Sequence, residues 1–118
     1  MANDVSWRVE LEVKRGQLEN FRALTGEMVE STLAEIGVLS YERFVSEDGN
    51  FVHVHERYAD SASALQHLRT FADKFSERFL SMVERKRFTV FGNPSEELRK
   101  NLDGLGAIYM RPFGDFGY

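Results

Sequence analysis

Cysteine is absent from this 118-residue chain. No disulfide, thiolate nucleophile or cysteine-ligated zinc site is open to it, and a reducing cytoplasm is the expected setting. Proline occurs only twice. No linker, low-complexity segment or fixed-period repeat divides the chain, so residues 1–118 read as one domain. An excess of basic residues is also missing. With a net charge of −4 the chain lacks the positive footprint that a nucleic acid or an anionic membrane surface requires. No apolar run approaches the roughly 20 residues needed to span a bilayer. The first residues, Met1-Ala2-Asn3-Asp4-Val5, lack the apolar core of a signal peptide. The expectation is a soluble cytoplasmic protein with no nucleic-acid or membrane partner.

What is present is a balance of 42% hydrophobic and 29% charged residues, enough to build a core without staples. Aromatics are abundant: ten Phe, four Tyr and one Trp. They either fill that core or line a ligand cavity, since such cavities favour aromatic walls.

Val5, Trp7, Val9, Leu11 and Val13 alternate with polar residues and mark a strand with one dry face. From Gln17 to about Glu35 the period lengthens. Leu18, Phe21, Leu24 and Met28, extended by Leu33 and Ile36, form the apolar stripe of a helix, and Gly37 stands at a C-cap position. Val38 to Ser46 and Phe51 to Tyr58 flank Asp48-Gly49, a strong hairpin signal. Asp60-Ser61 offers an N-cap for a second helix, whose stripe runs from Leu65 to Met82 with a possible break at Phe71 to Asp73. Arg87 to Phe91 reads as a fourth strand. Pro94 to Leu98 opens a short helix, and Gly106 to Tyr118 reads as an edge strand or tail because Pro112 cannot donate to a ladder.

The order β-α-β-β-α-β, with an appended helix and extended tail, is the ferredoxin-like order of an α+β protein. Two helices cover one face of such a sheet. Apolar residues on both faces of the second strand predict that a second copy covers the other, as a homodimer.

One stretch narrows the fold to a family. Val54-His55-Glu56-Arg57-Tyr58-Ala59-Asp60-Ser61 leads into Ala64-Leu65-Gln66-His67-Leu68. This resembles the strand-to-helix signature of the antibiotic biosynthesis monooxygenase superfamily: an apolar strand, Glu-x-aromatic, a short Asp/Ser turn, then Ala-Leu-x-x-His. Upstream, Glu35-Ile36-Gly37-Val38-Leu39-Ser40-Tyr41-Glu42 is similar to that family's Pro-Gly-x-x-x-Tyr entry into strand two, with Ile36 in place of the proline. Gly92-Asn93-Pro94-Ser95-Glu96-Glu97-Leu98 and Gly114-Asp115-Phe116-Gly117 resemble a bacterial branch of the group. The resemblance implies a dimeric α/β barrel with a small-molecule pocket between sheet and helices in each subunit. It also implies chemistry such as the cofactor-free oxygenation of quinols.

On that resemblance His67 is the candidate base and Glu56 its orienting carboxylate. Oxidation by O2 without metal or flavin needs a deprotonated substrate, and an imidazole suits that task. The alternative is that His67 packs the helix and Glu56 satisfies backbone donors. Tyr41 and Tyr58 are candidate hydrogen-bond donors to a quinone-like oxygen, and Trp7 and Phe71 candidate walls. His53 and His55 share a strand face but lack a third ligand, so a metal site is not expected. The haem-degrading branch calls for a strand-one Asn and a later axial His that this chain lacks. No cofactor is expected. The reading is a cofactor-independent monooxygenase acting on a small aromatic or enolisable molecule, with a non-catalytic binding dimer as the alternative.

Overall fold

The computed structural model describes residues 3–114. The elements run β1 (Val5–Val13), α1 (Leu18–Leu33), β2 (Val38–Val45), β3 (Phe51–Tyr58), α2 (Ser61–Lys74), α3 (Ser76–Met82), β4 (Val83–Gly92), α4 (Glu96–Asp103) and β5 (Ile108–Met110). The strands form one sheet in the order β2-β3-β1-β4-β5. The first four are antiparallel neighbours in ferredoxin-like order, and β5 joins β4 in parallel at the edge. The sheet of one chain is therefore open rather than a closed barrel.

Local chemistry explains most boundaries. The hairpin closes because Asp48 Oδ1 accepts from the Asn50 amide and the Ser46 hydroxyl, while Gly49 adopts φ +77°. Asp60 caps α2 by accepting from the Ser63 amide at 2.8 Å, and Ser95 caps α4 by accepting from Leu98 at 3.1 Å.

Other boundaries differ from the sequence expectation. Helix α1 ends at Leu33, and Leu33 and Ile36 are 81% and 93% exposed, so neither extends the buried stripe. The stripe continues instead through Phe21, Leu24, Met28 and Thr32. Gly37 is no C-cap, a place taken by Ala34; its φ of +97° turns the chain into β2, with Ser63 packed where a Cβ would stand. The second helix breaks at Phe75, later than expected. Phe75 leaves helical geometry (φ −126°) and is buried with Phe21, Phe79 and Met28.

Strand β4 begins at Val83, ahead of the expected Arg87. The run Glu84-Arg85-Lys86-Arg87 has no apolar alternation to announce it. Pairing with β1 fixes it, Val13 opposite Val83 and Glu12 opposite Glu84, with a bulge at Glu10/Leu11. Of the tail, Ile108–Met110 form the edge strand, and residues 115–118 lie outside the described part.

The helices cover one face of the sheet and bury two apolar clusters. One gathers Trp7, Tyr58, Leu65, Phe88, Leu98 and Leu102; the other gathers Leu11, Phe21, Leu24, Met28, Val54 and Phe79. Val9 packs against both. Between them the helices stand away from the sheet.

Candidate functional site

That gap is a cavity of about 220 Å³. Its walls are apolar and aromatic, with Trp7, Leu68, Phe71, Phe88 and Leu105 among them. Its polar lining includes Glu56, His67, Tyr41 and Arg43.

Strand alternation supplies three of these groups, Glu56 from β3 and Tyr41 and Arg43 from β2. Glu56 and Tyr58 lie two apart on β3 and share the helix-facing side. In β2, Tyr41 pairs with Glu56 and Arg43 with Val54, so both point the same way. Helix α2 follows β3 after a two-residue turn, which brings its second turn over the sheet and sets His67 above Glu56.

The result is a buried chain of charged groups. His67 Nε2 lies 3.3 Å from Glu56 Oε1, and its Nδ1 lies 3.1 Å from Glu35 Oε1. The Tyr58 hydroxyl donates to the same Glu56 oxygen. The rings of Tyr41 and Tyr58 flank the imidazole, with centroids 5.4 and 5.3 Å away. His67 is 6% and Glu56 8% exposed.

Both imidazole nitrogens face carboxylate oxygens. A bare ring lone pair opposite a carboxylate is repulsive, so the arrangement favours the protonated ring. Burial pulls the His67 pKa down, but the hydrogen bonds and charges of Glu56 and Glu35 outweigh it, and the pKa ends above its ordinary 6.5. The two phenols go the same way. Burial, aided by the Glu56 charge, raises Tyr58 well above 10, and burial raises Tyr41 against the opposing charge of Arg43. Tyr58 therefore stays a donor at neutral pH.

The His67 shift predicts a pH dependence of stability. A folded pKa above the unfolded value means the protonated ring stabilises the fold. That contribution is full below about pH 6.5 and fades as pH rises through the folded value. Urea unfolding across this range should show stability falling from the acidic to the alkaline side, and His67→Gln should flatten that slope. An unchanged slope in the variant would remove His67 as its origin.

Of the residues singled out from sequence, the cavity brings together Trp7, Tyr41, Glu56, His67 and Phe71. Tyr58 does not line it; it is fully buried behind Glu56, with its hydroxyl engaged there. His53 and His55 lie on the opposite sheet face. His53 Nε2 is 3.8 Å from Glu10 Oε1, and His55 packs on Phe44 with centroids 5.1 Å apart. Among the described residues no cluster of three His, Asp or Glu side chains is placed to hold a metal ion, and no helix is long and apolar enough to cross a membrane.

Among the site residues not singled out from the sequence are Glu35 and Arg43. Glu35 lies in the turn after α1, past the end of the helical stripe, so no periodicity marked it. Arg43 lies two residues from Tyr41 and shares its face, a signal that alternation does carry.

The family profile described as antibiotic biosynthesis monooxygenase matches residues 5–72, a span that holds Trp7, Tyr41, Glu56, His67 and Phe71. The chain belongs to the antibiotic biosynthesis monooxygenase family. Its similarity to MupZ from Pseudomonas fluorescens extends over all of this chain and 91% of that one, with 27% identity and a TM-score of 0.90. A putative antibiotic biosynthesis monooxygenase from Bacteroides thetaiotaomicron is 29% identical over 70% of this chain and 81% of its own, with a TM-score of 0.63. SnoaB from Streptomyces nogalater, a cofactor-independent oxygenase, shares the fold at a TM-score of 0.68 and 12% identity, over 80% of this chain and 96% of that one. No curated protein matches the chain in sequence. The MupZ similarity takes in α4 and the turn after it, which lie beyond the family span and contribute Asn101 and Leu105 to the cavity wall.

Proposed function

We propose that this member of the family is a cofactor-independent monooxygenase acting on a small aromatic or enolisable molecule held in the cavity. The observation that carries the reading is the buried Glu35–His67–Glu56 chain opening onto a cavity with mainly apolar and aromatic walls. The likeness in fold to a cofactor-independent oxygenase supports it.

In this reading the His67–Glu56 pair, rather than His67 alone, takes the substrate proton. Glu56 accepts it while the imidazolium remains beside the new anion and stabilises it. Glu35 holds the far side of the ring in place. The substrate anion passes one electron to O2, and the resulting radical pair joins through a carbon–oxygen bond. The peroxide takes up a proton; loss of the second C–H proton then breaks the O–O bond. A methylene and O2 thus give a carbonyl and water, with the substrate supplying every electron. The apolar walls exclude bulk water from the anion and the peroxide. One functional unit over residues 1–118 and a cytoplasmic setting belong to the same reading.

Oxygen uptake with hydroquinones, anthrones and flavonoids tests it, without added metal, flavin or nicotinamide. One O2 consumed per oxygenated product is expected. A ligand that raises the melting temperature without turnover would favour a binding protein of the same fold.

Assembly belongs to this proposal as well. The sheet face away from the helices carries exposed Phe44 and Phe51 near one edge and Ile108 and Met110 at the other. Between them Arg8, Glu10 and His53 form a polar strip. A second copy laid across this face would cover the apolar ends and pair the charges. Sedimentation equilibrium at micromolar protein should give twice the 13.6 kDa chain mass, and Phe44→Glu should halve it. A single 13.6 kDa species for the unmodified protein would count against the dimer.

A further inference from the structure

Arg43 is not explained by proton transfer. Its Nη2 donates to the Tyr41 hydroxyl at 2.8 Å and lies 3.9 Å from Met28 Sδ, and its guanidinium carbon stands 4.4 Å from the Tyr41 ring centroid. Its Nε and Nη1 are buried with no acceptor. Among the described residues Arg43 enters no ion pair. A guanidinium stays ionised at any physiological pH, so it keeps its positive charge with two donor nitrogens unmet. Buried donors of a charged group are satisfied in working proteins, and this residue lines the cavity. Nε and Nη1 carry almost no exposed surface, but the residue lines the cavity with its charge unmatched, so the missing counter-charge belongs to whatever fills the cavity.

Register places this cation relative to the proton-transfer pair. Tyr41 stands opposite Glu56 and Arg43 opposite Val54, so Arg43 lies two strand residues further along, about 7 Å. That is close to the length of one aromatic ring. A ligand spanning the two would put its reacting atom at Glu56–His67 and an anionic oxygen at Arg43, with an apolar body against Trp7, Phe71 and Phe88. Charge balance selects the kind of anion. Arg43 and Arg85 line the cavity together with Glu56, so two guanidiniums against one carboxylate leave one positive charge for a single negative charge to match, whereas a dianionic phosphate would add an uncompensated one.

We propose that the cavity takes a monocarboxylate with an aromatic body, its carboxylate received by Arg43 and its reacting carbon or hydroxyl turned toward Glu56 and His67. This rests on the reading of the cavity as the substrate site and adds the class of substrate.

Calorimetric titration of naphthoate and its methyl ester compares the charge at nearly constant shape. The unmodified protein should bind the acid about 10- to 100-fold more tightly than the ester, the range of a hydrogen bond to a charged group. Arg43→Met should abolish that preference while leaving ester affinity near its original value; Arg43→Lys should retain part of it. Thermal melts and far-ultraviolet circular dichroism check that each variant is folded. A merely structural Arg43 would change both ligands together. Equal binding of acid and ester, a preference that survives in Arg43→Met, or no binding of either at millimolar ligand would each overturn the proposal. Acid preference without oxygen uptake on any carboxylate would leave the proposal standing and sink the oxygenase reading. Oxygen uptake on neutral substrates with no acid preference would do the reverse.

Discussion

His67→Ala should lower turnover by about 10²- to 10⁴-fold, the usual contribution of a positioned acid–base group, and should also destabilise the fold. The second effect follows from burial. His67 stands between Glu35 and Glu56, each within 3.3 Å of a ring nitrogen. Removing the imidazole leaves two buried carboxylates without their shared cation. Breaking one side of a buried charge pair costs about 3–5 kcal/mol. The protonated ring contributes fully below about pH 6.5 and less as pH rises through its folded pKa, so the deficit should be larger at about pH 5 than at about pH 8. A histidine that only packed the helix would give a loss independent of pH. Urea titrations of both proteins at about pH 5 and pH 8, beside kcat on a productive substrate, separate the two. His67→Gln keeps a hydrogen-bonding side chain of similar reach, so it should recover much of the stability and little of the turnover. Full activity in His67→Gln would refute the acid–base role.

Glu56→Gln and Glu35→Gln should differ, although each removes a carboxylate from the same imidazole. Glu56 lines the cavity and is the group that receives the substrate proton in the proposed reaction. Its amide should lower kcat by about 10²-fold or more, with binding of a neutral ligand little changed. Glu35 contacts the far nitrogen, so it acts as a positioning residue. Its amide still accepts from Nδ1 and should cost only about tenfold in kcat, in line with the loss of an orienting partner. Glu35 is one of the two carboxylates that raise the His67 pKa, so Glu35→Gln should move any pH limb set by His67 to lower pH. A ring titration followed by NMR reads the same shift without turnover. Equal kcat losses with no movement of the limb would show that the two carboxylates do not divide the work in this way.

Phe75 shows why the helical stripe misplaced one boundary. The apolar period runs through it unbroken, since Phe71, Phe75 and Phe79 keep helical spacing. The break at Phe75 is set by its packing against α1, which lies far away in sequence. Strand β4 is the same case with charges. Nothing local marks Glu84 to Lys86 as a strand, and only the ladder with β1 and the Lys86 contact to Glu12 at 3.1 Å hold it there.

The sequence by itself determined what depends on near neighbours. Alternation on β1 and β3, the Asp48-Gly49 turn, the Asp60 and Ser95 caps and the order of elements all follow from interactions a few residues long. The Glu56 to His67 spacing belongs with them, because one short turn joins strand to helix and leaves little freedom between the two. Tertiary structure decided the remainder of the site. Glu35 reaches His67 across 32 residues because the α1–β2 turn folds against α2. Tyr58, on the same strand face as Glu56, lies behind it rather than at the cavity, because Trp7 and the first core cluster close over its ring. Periodicity says which face a side chain takes; only the approach of distant elements says whether that face meets a core, a carboxylate or an open cavity.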